Sequence, residues 1–181
     1  LRLWELGALS PGARLIAING ALGTFPGLAG IAFPLAAKML ALNPFTALFF
    51  STAASAPNSA ARILESTGST IDEEGRLLYQ RLISEGSHID GTLRMMAAWD
   101  LEGILARLPT ITAESNLIVG ENDQTVPPRV SEKAAARMPK AEVVALPGLG
   151  HLAHEEAAGT VATEILHALG GGLPASMRKA E

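Results

Sequence analysis

Leu117-Ile118-Val119-Gly120-Glu121-Asn122-Asp123-Gln124-Thr125-Val126-Pro127 is the stretch that decides the fold. Ser115 to Val119 is short and ends in an unbroken apolar run, the pattern of a strand covered on both faces. Gly120 ends it, and a polar loop then carries Asp123. Downstream, Ala141 to Leu146 reads as another strand and delivers Pro147-Gly148-Leu149-Gly150-His151. Upstream, Arg14-Leu15-Ile16-Ala17-Ile18-Asn19 is a third run of the same kind, closed by Gly20. Pro127 and Pro128 suit the first turn of a helix running to about Met138. His154 to Leu169 reads as a closing helix with Val161, Ile165 and Leu169 on one face, stopped by Gly170-Gly171-Gly172. The fold class is therefore α/β: three parallel strands with flanking helices.

Between the first strand and the other two lies a long helical insertion, residues 20–112, which reads as a cap on a core made of 1–19 and 113–181. Its pieces are bounded by Pro26, Pro34, Pro44, Pro57 and Gly68, and then run Ile71 to Ser84, Ile89 to Trp99 and Leu101 to Leu108. Leu77, Leu78, Arg81 and Leu82 show the spacing of an amphipathic helix. Ser87 is placed to cap the helix bearing Met95, Met96 and Trp99. Residues 28–50 are apolar for a length that suits a membrane span. Lys38 near the middle and Pro34 and Pro44 within it favour two shorter helices, an apolar cap over a pocket for which peripheral contact with a membrane surface stays open.

Composition narrows the field. Hydrophobic residues make up 48% of the 181 and charged residues 18%, so a packed core is expected rather than disorder. The net charge is −4 and the 14 Lys and Arg form no stripe, which argues against nucleic-acid binding. Without cysteine there is no disulfide and no thiolate metal site. The chain begins at Leu1 rather than methionine and reads as the C-terminal part of a larger protein, expected in the cytoplasm.

Asp123 and His151 each follow a strand, where ligand sites of open α/β sheets gather. One helix and one strand separate them, so both side chains can emerge at one sheet edge. A histidine acting as general base must be held in one tautomer, and its imidazolium must be stabilised. A carboxylate on the far ring nitrogen does both. Taken singly, Asp123 is a turn residue in a polar loop and His151 a loop histidine. Their order along the chain, acid then base, turns the pair into a catalytic candidate. His88 and His167 read as surface or packing residues. His151 and His154 with Glu155 suggest a metal site by spacing, but His151 reads as loop and His154 as the start of a helix, so no metal site is expected there, and no cofactor.

Gly120-Glu121-Asn122-Asp123-Gln124-Thr125-Val126-Pro127 followed by Pro147-Gly148-Leu149-Gly150-His151-Leu152-Ala153-His154-Glu155-Glu156 resembles the α/β-hydrolase superfamily. A closer likeness is to the magnesium chelatase accessory proteins of bacteriochlorophyll biosynthesis in photosynthetic bacteria. It rests on Leu15-Ile16-Ala17-Ile18-Asn19-Gly20-Ala21-Leu22, on Met95-Met96-Ala97-Ala98-Trp99-Asp100-Leu101, and on the run from Leu149 to Glu156. The resemblance implies Asp123 as triad acid and His151 as triad base. Some members carry the acid after the strand before the insertion, but that place falls near Asn19, so Asp123 keeps the role. No G-x-S-x-G occurs; Gly86-Ser87-His88-Ile89-Asp90-Gly91 has the wrong spacing and lies in the insertion. The nucleophile and the oxyanion donors are accordingly expected upstream.

The insertion is rich in Ala, Leu, Phe and Met. Phe25, Met95, Met96 and Trp99 are candidate lining residues for a large apolar ligand, a porphyrin or a lipid-like ester. Met95 and Met96 are adjacent and face different directions, so at most one lines such a site. Three functions stay open: hydrolysis of an ester-like bond in a large apolar substrate as a chelatase accessory protein; non-catalytic porphyrin holding or chelatase assistance on a hydrolase scaffold, with chelatase subunits as partners; and a generic esterase-like hydrolase of another subfamily.

Overall fold

The computed structural model describes residues 2–8, 10, 12–23, 39, 46, 52, 56, 58–98 and 101–170. The chain divides into two compact units, one of Leu1–Gly23, Thr67–Thr70 and Gly103–Glu181, the other of Thr24–Ser66 and Ile71–Glu102. Residues 20–23, 67–70 and 103–112, inside the 20–112 stretch, thus go with the first unit.

The first unit holds the sheet. Strands β1 (Leu15–Ile18), β2 (Ser115–Gly120) and β3 (Ala141–Leu146) are parallel in the order β1-β2-β3. Ile18 pairs with Ile118, and Gly120 with Leu146, so the carboxyl ends of all three strands reach one edge. All six residues of β2 are buried, as a central strand requires. Glu142 and Ala145 of β3 are exposed, so β3 is an outer strand of the three and only part of its apolar run is covered. On one face Ile118 and Leu146 form a cluster with Ala153 and Val161, against which Ile16, Ile18, Val144, Leu149 and Ile165 pack. Leu117 and Val119 point to the other face by alternation and are equally buried, so both faces of β2 are dry.

Short helix α1 (Arg2–Glu5) precedes β1. Helix α6 (Pro128–Ala135) links β2 to β3 and packs on both; the expected run to Met138 instead finishes in turns after Ala135. The closing helix is two: α7 (Ala153–Glu156) and α8 (Ala158–Ala168), broken at Ala157, whose backbone lies at φ −144, ψ 63. The break follows Glu156, whose carboxylate is held by two backbone amides of the loops before it.

In the second unit, α2 (Ser59–Ser66) is followed after Thr67–Thr70 by α3 (Glu73–Ser84) and α4 (Gly86–Ala97). Helix α5 (Glu102–Ala106) and a 3-10 turn (Leu108–Thr110) lead back to β2. Asp72, not Ile71, starts α3: its carboxylate accepts the Gly75 amide at 2.8 Å, and Glu73 and Glu74 occupy the first turn. Ser87 does not cap α4. Glu85 does, accepting from the Ser87 amide at 3.4 Å and the Ser87 hydroxyl at 3.0 Å, and the helix starts three residues earlier than Ile89. Leu77, Leu78 and Leu82 lie on α3 as the spacing predicts, but all three are exposed. Replacing Asp72 with alanine is expected to destabilise this helix by about 1 kcal/mol, read as faster hydrogen exchange at the Gly75 amide.

No helix among the described residues is long and apolar enough to cross a membrane. Residues 28–50, apart from 39 and 46, lie outside the described residues.

Candidate functional site

At the carboxyl edge of the sheet, Gly120 hands the chain to a tight loop in which the Asp123 amide donates to the Gly120 carbonyl at 3.1 Å. Asp123 Oδ1 accepts the amides of Thr125 (2.8 Å) and Val126 (2.7 Å). Pro127 and Pro128 have no N–H, so these two are the last donors before α6, and the aspartate takes both. The other oxygen, Oδ2, stands 2.8 Å from His151 Nδ1. The acid side chain is 0% exposed and the histidine side chain 27% exposed. The carboxylate is therefore fixed and shielded from water, and the imidazole is reachable. With the ionised acid accepting at Nδ1, that nitrogen carries the proton and Nε2 is left with its lone pair.

Further hydrogen bonds hold the two loops. Asn122 donates to the base loop twice, from its amide to the Leu149 carbonyl (2.8 Å) and from Nδ2 to the Gly148 carbonyl (3.0 Å). Asn19, directly after β1, sends Nδ2 to the carbonyls of Gly150 (3.0 Å) and His151 (2.5 Å), while its Oδ1 accepts the Gly120 amide at 2.8 Å. The strap Thr67–Thr70 lies across both loops. The Thr67 carbonyl accepts the amides of Gln124 (3.1 Å) and His151 (3.4 Å), and Ser69 Oγ accepts the Leu152 amide at 2.9 Å. Glu156 closes the arrangement, taking the amides of Gly150 and Thr70, both at 2.9 Å.

Glycines make this crossing fit. A Cβ on Gly68, whose φ is +79, would stand 2.0 Å from the Asn122 carbonyl oxygen. One on Gly150 would meet the Gly68 carbonyl oxygen at 2.3 Å, and one on Gly120 the carbonyl oxygens of Leu149 and Gly150 at 2.4 Å. All of these neighbours are backbone and cannot swing aside.

Of the residues singled out in the sequence, Asp123 and His151 are brought together. Met95 and Met96 lie on α4 of the second unit, the first 62% exposed and the second half-buried. Phe25 and Trp99 lie outside the described residues. His154 and His167 form exposed pairs with their neighbours Glu155 (3.5 Å) and Glu164 (3.9 Å). Among the described residues no group of three His, Cys, Asp or Glu side chains is placed to hold a metal ion. Sequence reading missed the strap and Glu156. Asn19 had a signal, a polar residue ending an apolar strand at the edge where the other two loops leave; the strap had only Gly68.

A model of the alpha/beta hydrolase family matches residues 4–164. The chain belongs to this family. It is 40% identical over 167 residues to a protein of Rhodobacter capsulatus named magnesium-chelatase 30 kDa subunit, covering 92% of this chain and 58% of that relative. Among solved structures it is similar to an alpha/beta hydrolase fold protein from Burkholderia ambifaria, with TM-score 0.65, 17% identity, and coverage of 92% of this chain and 60% of that one. It is also similar to a bromoperoxidase from Bacillus anthracis, with TM-score 0.61, 16% identity, and coverage of 93% and 62%. These structures share the fold; at such identity they carry no chemistry across. The chain spans a little under two thirds of the length of each of these relatives.

Proposed function

We propose that this chain supplies the acid and the base of a serine-type hydrolytic site acting on an ester-like bond in a large apolar substrate, and that the protein works beside magnesium insertion into a porphyrin. The observation that carries the hydrolytic part is the 2.8 Å contact between buried Asp123 and reachable His151. His151 Nε2 takes the proton of a serine hydroxyl as its oxygen attacks the substrate carbonyl. Asp123 stabilises the imidazolium, which returns the proton to the departing alcohol. Water then enters by the same base and frees the acid product. The serine and the oxyanion donors come from the part of the full-length protein that matches the remaining length of its relatives. Phe25, Met95 or Met96, and Trp99 of the apolar insertion contact the ligand, and chelatase subunits are the partners. The support for this placement is the 40% identical relative named as a chelatase subunit. A cytoplasmic protein touching the membrane surface fits such a substrate.

That same relative's name favours a second reading, a scaffold that holds the porphyrin without turning it over. Titrating the full-length protein with protoporphyrin and following the Soret band tests both. Both expect a shift that saturates. The hydrolytic reading also expects turnover of an aryl ester that His151→Ala removes. A saturating shift with no turnover, unchanged by His151→Ala, leaves the scaffold. No shift at all removes the porphyrin.

A further inference from the structure

We propose that Asn19 is a positioning residue that keeps His151 in register with Asp123; this rests on the hydrolytic reading above. The two side chains hang from loops after different strands, and a working acid–base pair tolerates an error of only about 0.5 Å. The contacts from Asn122 hold the base loop at Gly148 and Leu149, ahead of the histidine. The amide of His151 itself has a long bond, 3.4 Å, to Thr67. Its carbonyl is the atom that Asn19 grips at 2.5 Å. The opposite end of the same carboxamide grips the Gly120 amide, the root of the acid loop.

A single planar amide thus spans from the base residue to the start of the acid loop, and both of its polar atoms are engaged. Asn19 is 6% exposed, so cutting the side chain takes the partner from three buried or half-buried backbone groups at once. Its φ of 45 lies in the left-handed region, which asparagine enters more readily than most residues. β1 therefore stops abruptly, with the carboxamide at the sheet edge. An aspartate here would keep the acceptor for Gly120 but turn a negative oxygen on two carbonyls, which explains why an amide, and not an acid, suits this position.

The test uses the full-length protein labelled with 15N-histidine. The wild type is expected to show a low-field imidazole Nδ1 proton, assigned to His151 by its loss in His151→Ala. Asn19→Gly keeps the left-handed backbone without steric cost and deletes the carboxamide; Asn19→Asp keeps the acceptor and deletes both donors. Each is expected to lose the low-field proton to exchange and to lower kcat for an aryl ester about 100-fold, with KM little changed. Ile16→Val, which thins the β1 packing without touching the loops, is expected to lower Tm and keep the signal. The proposal is overturned if both Asn19 variants keep the signal and kcat, if Ile16→Val loses the signal equally, or if neither Asn19 variant folds while Ile16→Val does. A wild type with no such proton removes the Asp123–His151 reading itself, and this proposal with it.

Discussion

Replacing His151 with alanine in the full-length protein is expected to lower kcat for a short aryl ester by about 10⁴-fold or more, leaving the fold in place. The imidazole is partly exposed and makes one side-chain bond, so its loss removes chemistry rather than packing. Asp123→Asn is expected to cost about as much, for a different reason. The amide would keep its oxygen on the Thr125 and Val126 amides and offer N–H toward Nδ1, driving the imidazole proton to Nε2, where a base needs a lone pair. Because the two residues act as one unit, the double variant should be no slower than the worse single variant by more than a small factor. Initial rates across substrate concentration, with circular dichroism to confirm folding, decide it. Retention of activity within tenfold in either variant would remove the pair from the mechanism.

Gly68→Ala carries the largest expected structural effect. Holding alanine at a φ of +79 costs about 1–2 kcal/mol by itself. The added carbon would also stand 2.0 Å from the Asn122 carbonyl oxygen, so the strap or the acid loop has to move. The expected total is about 3 kcal/mol or more, seen as a fall in Tm of several degrees. Activity should fall with it, since the moving strap takes the Thr67 carbonyl away from the amides of Gln124 and His151. Gly91→Ala is the control: it sits in α4 with nothing within 4 Å of the new carbon, and is expected to stabilise by about 0.5–1 kcal/mol. A Gly68→Ala protein that melts with the wild type would show that the backbones do not cross as closely as described.

The strap shows why part of the site was hidden in the sequence. Thr67, Ser69 and Thr70 look like any polar link between two helices, and the bonds of Thr67 to His151 and Gln124 and of Thr70 to Glu156 use backbone groups that every residue possesses. Nothing in residue type announces such a contact. Glu156 was hidden differently: nothing in its local sequence says that it spends its two oxygens on the amides of Gly150 and Thr70. Asn19 was seen as an acid that is missing, whereas its amide does what an acid at that place could not. The Leu77, Leu78 and Leu82 stripe placed helix α3 but said nothing of its exposure, since periodicity reports which residues share a face and not what covers it.

The alternation of apolar runs with turns settled the three parallel strands in advance, although only β2 is dry on both faces. The order acid, then base, and their places after strands likewise followed from local pattern alone. Which atoms meet was decided only by packing. The 2.8 Å bond between Asp123 and His151, the amide of Asn19 spanning both loops and the threading of Thr67–Thr70 over them all join residues far apart along the chain. Such contacts depend on backbones approaching where Gly68, Gly120 and Gly150 leave room, and that room exists only once the sheet edge has formed.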